Sequence, residues 1–263
     1  MIRSATYPVF PQGLPDPIEG RGGYRVRFAS TPEELEAVQR LRFQVFNLEL
    51  GEGLEESYET GLDQDRFDLV CHHLMVLHGD SNDVVGTYRI QTHQMAEAYE
   101  GFYSADEFHL EDLPSHVLGN AIEIGRASVA VPYRNQKVLF LLWRGLAAYL
   151  MKNDKRFLFG CCSLTSQEPA DGKWVMDHLV EKRHCHPEHV VRPQPEWACY
   201  EEGFDPGPSP EPIKLPKLFR TYIRYGAKVC GPPAIDRFFK TIDYLVLLDT
   251  AELDRMTRAL FFT

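Results

Sequence analysis

The sequence predicts an α+β sandwich, a central sheet covered by helices on its faces, and three stretches carry that prediction. Residues 120–150, NAIEIGRASVAVPYRNQKVLFLLWRGLAAYL, read as a strand, a short basic turn and a long helix. Residues 72–78 and 84–92 read as two strands joined by the turn 79–83, and so as a hairpin. Residues 157–162 form a short buried strand after the long helix, which completes a β-α-β arrangement.

Taken in order, residues 1–23 are a Pro/Gly-rich stretch without the apolar core of a signal peptide, expected to be a flexible tail. Residues 24–29 alternate as a first strand. Thr31, Pro32 and Glu34 then give an N-cap, a proline at the first helical position and a capping box, so a helix should run to about Phe46. Its inner side carries Leu35, Val38, Leu41, Val45 and Phe46, and also Arg42, whose stem must snorkel unless its head is used.

Residues 51–68 are acidic, glycine-containing and irregular, with Asp63, Asp65 and Asp68; loops of this length are usually functional or mobile. They lack the glycine and closing glutamate of a calcium loop, so ion pairs with distant arginines are expected and no metal. Arg89 places a charge in the second hairpin strand. The three histidines of residues 72–78 read as strand residues rather than ligands. Residues 94–99 are a short helix, and Phe102, Tyr103 and Phe108 either line a groove or join the core.

Further on, residues 171–183 predict a helix, 187–216 a Pro-rich connection without one fixed form, and 215–229 an amphipathic basic helix. Residues 242–248 are a last strand and 253–262 a last helix. Everything after the tail, residues 24–263, is read as one domain with a basic part from about 214 to 263.

Composition bounds the function. A chain of 263 residues with 44% hydrophobic residues can bury a core, and a formal charge of -10 disfavours a nucleic-acid binder. No apolar run approaches the ~18 residues of a membrane span, so the expected location is cytoplasmic. The charge is uneven: Lys214, Lys217, Arg220, Arg224, Lys228, Arg237 and Lys240 face a single acid, Asp236, and residues 126–156 are similarly basic. Such stretches suit an anionic partner, a phosphate-bearing carrier or lipid headgroups, or are a solvated face. Six cysteines without a CxxC pair read as buried free thiols, and the His184–Cys199 stretch fits no standard zinc spacing.

The strongest chemical signal is charge inside the strand before the long helix. Glu123 and Arg126 are three apart and would face opposite sides of a regular strand, but Gly125 suggests a β-bulge that brings them to one face and frees a backbone N–H. A glutamate, an arginine and a free N–H before a helix start suit acyl transfer to an amine. The other reading is a structural ion pair in a core strand.

Several ordered motifs match a known family. They include Leu41-Arg42-Phe43-Gln44-Val45-Phe46, residues 65–74 (DRFDLVCHHL), Val85-Gly86-Thr87-Tyr88-Arg89, residues 101–108 (GFYSADEF), residues 123–129 (EIGRASV), Leu142-Trp143-Arg144-Gly145-Leu146, Phe159-Gly160-Cys161 and residues 222–236. On these the chain resembles the ornithine-acyl carrier protein N-acyltransferases, a branch of the GNAT superfamily, over about residues 25–262. It is more weakly similar to acyl-homoserine lactone synthases, through Arg42, Asp65, Asp68, Arg89, Glu123 and Arg126.

The resemblance implies a GNAT fold with a mixed central sheet, an acyl thioester on acyl carrier protein as co-substrate, and no cofactor. It implies a long-chain, 3-hydroxy acyl group passed to the α-amine of an amino acid, with ornithine expected and glycine or another amino acid as the alternative. A homoserine lactone synthase-like enzyme and a non-catalytic lipid- or carrier-binding module on a GNAT scaffold stand as further readings. Glu123, Arg126 and Arg89 would be catalytic. Arg42, Asp63, Asp65, Asp68 and Glu107 would form the charged network and acceptor site, and Asp63 or Glu107 would take the side-chain ammonium. Arg134, Asn135, Gln136 and Lys137 would hold the pantetheine phosphate and dock the carrier. Phe46, Phe102, Tyr103, Phe108 and Trp143 would line the acyl groove, and the protein would touch the inner membrane peripherally.

Overall fold

Short alternating segments become strands, and capped periodic segments become helices. The computed structural model describes residues 7–262; residues 1–6 of the expected tail, and residue 263, lie outside the described residues. In chain order the elements are β1 (Ile18–Glu19), β2 (Tyr24–Phe28), α1 (Pro32–Phe43), α2 (Ser57–Thr60), β3 (His72–His78), β4 (Asp83–Thr92), α3 (His93–Ala98), α4 (Ser115–Gly119) and β5 (Ala121–Val129). There follow α5 (Gln136–Lys152), β6 (Phe157–Leu164), α6 (Pro169–Glu181), α7 (Lys217–Arg224), β7 (Lys228–Val229), β8 (Ala234–Asp236), β9 (Thr241–Asp249) and α8 (Arg255–Phe261). They sort into two compact units. The first holds the chain up to Gly101, Ile122–Lys155 and the end from Met256; the second holds Phe102–Ala121 and Arg156–Arg255.

In the first unit β1 to β5 pair in sequence order, each antiparallel to the next. The pleat sends Val26 and Leu74 to one face and Met75 and Leu77 to the other. On the first face α5 packs so closely that a Cβ on Gly145 would stand 2.6 Å from Leu74 Cδ1, which requires glycine at that position. On the second face Val38 of α1 joins Ala29, Met75 and Leu77 in a buried cluster. Helices therefore cover both faces of this sheet.

The start of α1 is built as the sequence implies. Glu34 N donates to Thr31 Oγ1 at 3.3 Å, while the Glu34 carboxylate reaches one residue further back and accepts from Ser30 N at 2.7 Å. The far end differs from a helix to Phe46. After Phe43 the chain widens into a π-helical turn, Gln44–Leu50, closed by Gly51 at φ 69°. Residues 7–23 also differ from a loose tail. Val9 is buried, its carbonyl accepts from His72 Nε2 at 2.5 Å, Asn153 Nδ2 donates to Gly13 O, and Ile18 pairs with Val26.

In the second unit β9 is central, with β6 along it from Phe157↔Asp249 to Leu164↔Ile242. Strands β7 and β8 also pair with β9, all antiparallel. Tyr244 of β9 donates to Gly172 O of α6 and packs against Phe219 of α7. The basic helix expected over 215–229 is shorter: Gly226, at φ 94°, breaks it after α7, and Lys228–Val229 pairs as a strand. The Pro-rich connection is tied down by bridges Phe108↔Pro193 and Ala198↔Ala234. No helix among the described residues is long and apolar enough to cross a membrane.

His72 and His73 give the first unit a pH dependence. Burial is the main cause that lowers each imidazole from 6.5 to about 4, against Val9 O for His72 and Asp68 for His73. The unfolded chain takes up these protons near 6.5 and the folded chain only near 4. The stability is therefore fully present above 6.5 and lost as pH falls toward 4, on the order of 3 kcal/mol for each ring. Urea midpoints should fall between about pH 7.5 and about pH 5, less steeply in His72→Gln. A midpoint that is flat across this range would contradict the assignment.

Candidate active site

Strand β4 sends Thr87, Arg89 and Gln91 to the same face as Met75, and β5 meets them in register, Arg89↔Gly125 and Gln91↔Glu123. Beyond Arg89 the register shifts, so that Thr87 stands opposite Ser128. One extra residue on β5, at Arg126–Ala127, lies across from Tyr88. This is the bulge expected near Gly125, but its left-handed residue is Arg126, at φ 49°. A non-glycine residue there costs roughly 1–3 kcal/mol and is held only if its surroundings demand it. Gly125 keeps regular pairing, and a Cβ added to it would meet nothing within 4 Å.

What holds Arg126 is the acidic segment before β3. Its Nη2 donates to Asp65 Oδ2 at 3.1 Å and its Nε lies 3.5 Å from Asp63 Oδ2. Arg89 Nη1 meets both oxygens of Asp65, at 2.7 and 2.6 Å, and Asp68 Oδ1 at 3.2 Å. Arg42, fully buried in α1, donates through Nε to Asp63 Oδ2 at 2.6 Å. Its Nη1 and Nη2 grip Asp68 at 2.8 and 3.0 Å, and Nη2 also meets Asp63 O at 2.7 Å. Gln39 and His73, which sequence reasoning missed, complete the shell: Gln39 Nε2 donates to Asp68 Oδ2, and His73 Nε2 lies 2.9 Å from Asp68 O.

Three arginines and three aspartates thus compensate one another. Burial alone would raise the carboxyls of Asp65 and Asp68, but the arginines win: Arg89 and Arg126 hold Asp65 below the usual range, and Arg42 with His73 and Arg89 holds Asp68 well below it. Burial would likewise lower Arg42, but Asp63 and Asp68 raise it. The ionised state of this cluster is the stable one. Asp63, offered by the sequence for an ammonium group, is buried and engaged with Arg42; its Oδ1 has no hydrogen-bond partner.

Glu123 is buried on the same face, and Gln91, also unforeseen, stands directly across from it. Glu107 lies in the second unit. There Glu107, Asp236 and Asp243, all buried, bring carboxylate oxygens within 4.8 Å of one another, a set that could hold a cation. Asp236 Oδ1 accepts from the N–H groups of Phe238 and Phe239, and Asp243 Oδ2 accepts from Thr241 Oγ1. Asp243 carried the same signal as Glu123, an acid inside a buried strand. The His184–Cys199 stretch contributes no such group among the described residues.

At the start of α5, Asn135 Oδ1 accepts from Lys137 N and Val138 N, at 2.9 and 3.1 Å. Arg134 pairs with Glu49 and donates through Nε to Val129 O. Arg134, Asn135, Gln136 and Lys137 are all exposed. An anion at this turn competes with the Asn135 carboxamide and with Glu49. Of the aromatic candidates, Phe46 and Trp143 are buried in the first unit, with Trp143 5.7 Å from Phe261. In the second unit Phe102 and Phe108 are buried, Phe102 edge-on to Phe159, and Tyr103 is half-buried. The six cysteines are free.

The bulged strand with its glutamate and arginine, and the capped helix after it, lie within or next to a segment that matches a GNAT-type acyltransferase, the class to which the chain is assigned. Residues 41–144 match the family described as acetyltransferase (GNAT) domain. The chain is 32% identical over 237 residues to the L-ornithine N(alpha)-acyltransferase of Rhizobium meliloti (strain 1021), spanning 86% of this chain and 80% of that protein. It is 33% identical over 242 residues to the protein of the same name from Brucella abortus (strain 2308), spanning 86% and 84%. The chain belongs to this family of L-ornithine N(alpha)-acyltransferases, and it is an enzyme. The solved structure of the AHL synthase LasI shares the fold, with a TM-score of 0.50 and 13% identity over 94% of this chain and 95% of that one.

The charge cluster predicts a graded mutational response. Arg42→Met removes the principal counter-ion of Asp63 and Asp68, leaving Arg126 and Arg89 to hold them, and should cost about 3–5 kcal/mol in urea unfolding. Asp65→Asn, at the partly exposed edge of the cluster, should cost less. Equal losses, or an Arg42→Met protein as stable as the parent, would show that the cluster is not organised around Arg42.

Proposed function

We propose that the enzyme moves a long-chain, 3-hydroxylated fatty acyl group from acyl carrier protein to the α-amine of ornithine, giving lyso-ornithine lipid and using no cofactor. The observation that carries the acceptor is the kinship with proteins named for L-ornithine acylation, along at least four fifths of their length. In this reading Glu123 takes a proton from the α-ammonium, and the freed lone pair attacks the thioester carbonyl in the open space over Gly125. The C–N bond forms as the carbonyl electrons move to oxygen, where a backbone N–H at the bulge stabilises the oxyanion. The intermediate's nitrogen then releases its second proton to solvent, leaving a neutral amide, as the C–S bond breaks and the carrier thiolate leaves with the proton that Glu123 returns.

Arg89 and Arg126 serve this step by holding the bulge and its strained backbone in place through Asp65. Arg134 and Lys137 receive the pantetheine phosphate once Glu49 and Asn135 give way. The exposed cations Lys214, Lys217, Arg220 and Arg224 on and before α7 meet the acidic carrier or anionic headgroups at the inner membrane. Phe46 and Trp143 of the first unit offer the acyl chain apolar surroundings.

The test supplies 3-hydroxyacyl carrier protein, the corresponding coenzyme A thioester and a panel of amino acids, with N-acyl products read by mass spectrometry. Product with ornithine from the carrier thioester supports the reading; product with glycine or another amino acid instead changes the acceptor and keeps the chemistry. Glu123→Gln should lower kcat by ~10²-fold or more. A variant rate within a few-fold of the parent would remove Glu123 from the mechanism.

A further inference from the structure

A buried oxygen with nothing to bind stands across the sheet from Glu123. Gln91 is 1% exposed, and its Nε2 donates to Gly101 O at 2.9 Å. That bond fixes the orientation of the amide, because a carbonyl oxygen can accept only from the NH₂ group. Oε1 is therefore turned away from Gly101. It has no hydrogen-bond partner in the structure. A buried acceptor left unmet destabilises a fold, so its retention calls for a donor that is absent from the chain itself.

The position says which donor. Gln91 and Glu123 are directly paired in the β4–β5 register and share a face, so their Cβ atoms lie about 4.5–5.5 Å apart. Gly125, two residues along on that face, has no side chain and opens onto free space. An acceptor oxygen beside a carboxylate cannot serve an anion or the thioester carbonyl, which bring only lone pairs. It suits a group with several N–H bonds. We infer that Gln91 binds the acceptor amine: its Oε1 receives one N–H of the α-amine while Glu123 removes another proton. The lone pair is thereby directed toward the space over Gly125. This assignment rests on the acyl-transfer reading above and adds an amine-binding residue to it.

The experiment uses the full chain with Gln91→Met, which removes both bonds, and Gln91→Glu, which loses the bond to Gly101 and keeps an acceptor oxygen. The parent enzyme is first run against the amino-acid panel, and whichever amine it acylates is then varied against a fixed acyl donor, and the donor against a fixed amine. In Gln91→Met the KM for the amine should rise roughly tenfold or more, with the KM for the donor within about twofold of the parent. In Gln91→Glu much of the loss in amine KM should be recovered. An unchanged amine KM in Gln91→Met overturns the proposal, as does an equal loss in both variants, which would assign Gln91 to holding Gly101 alone. Should Gln91→Met not fold by thermal melt, Gln91→Lys keeps a donor for Gly101, removes the acceptor and carries the same expectation. A parent enzyme that acylates no amine would overturn the acyl-transfer reading itself, and this proposal with it.

Discussion

The guanidinium of Arg42 sits at zero exposure inside α1, and the first unit is arranged to make that tolerable. An unpaired charge in such a place would be prohibitive, so every donor edge is matched: Asp63 takes one side and Asp68 the other. The two aspartates can reach it only because residues 51–68, without regular structure over most of their length, fold back over the helix. Asp68 is in turn held by Gln39 and Arg89, and Asp65 couples Arg89 to Arg126. A chain of ion pairs thus runs from a helix, through a loop, to the bulge of β5.

That chain explains how a strained residue survives in a strand. Arg126 adopts a left-handed backbone that an arginine seldom takes, and the two carboxylates around its guanidinium make the alternatives worse. The consequence is chemical. With the extra residue at Arg126–Ala127, Glu123, Gly125 and Arg126 share one face with Arg89 and Gln91, and the ladder is interrupted where an acyl group would need a backbone donor. The cluster is an ionic scaffold for the bulge, with Glu123 and Gln91 paired beside it on the same face.

A charge-compensated scaffold also narrows the possible binding roles. Carboxylates already matched by arginines have little left for a substrate cation. The turn before α5 shows the same economy. Asn135 caps the helix and Glu49 neutralises Arg134, so both groups already have partners within the chain.

Much of this was legible in the chain. The capping signals of α1, the hairpin β3–β4 and the strand–turn–helix of β5 and α5 depend on neighbours within a few residues, and they form where local chemistry places them. The odd charges Arg42, Asp65, Asp68, Arg89, Glu123 and Arg126 could be singled out because burial of a charge is costly whatever the fold. Their pairing could not be read, since it joins residues up to 63 positions apart in the chain, Asp63 to Arg126. Nor could the register that sets the bulge at Arg126 rather than Gly125, because the extra residue is defined only against β4. Residues 7–23 read as tail for the same reason: nothing in them foretells the partner strand or the His72 ring that takes the Val9 carbonyl. By itself the sequence determined the elements and the residues too expensive to be idle, through local propensity and the cost of desolvation. Only the tertiary structure decided which of them meet and which one bears the strain, because hydrogen bonds and ion pairs act over a few ångströms and only the fold sets those distances.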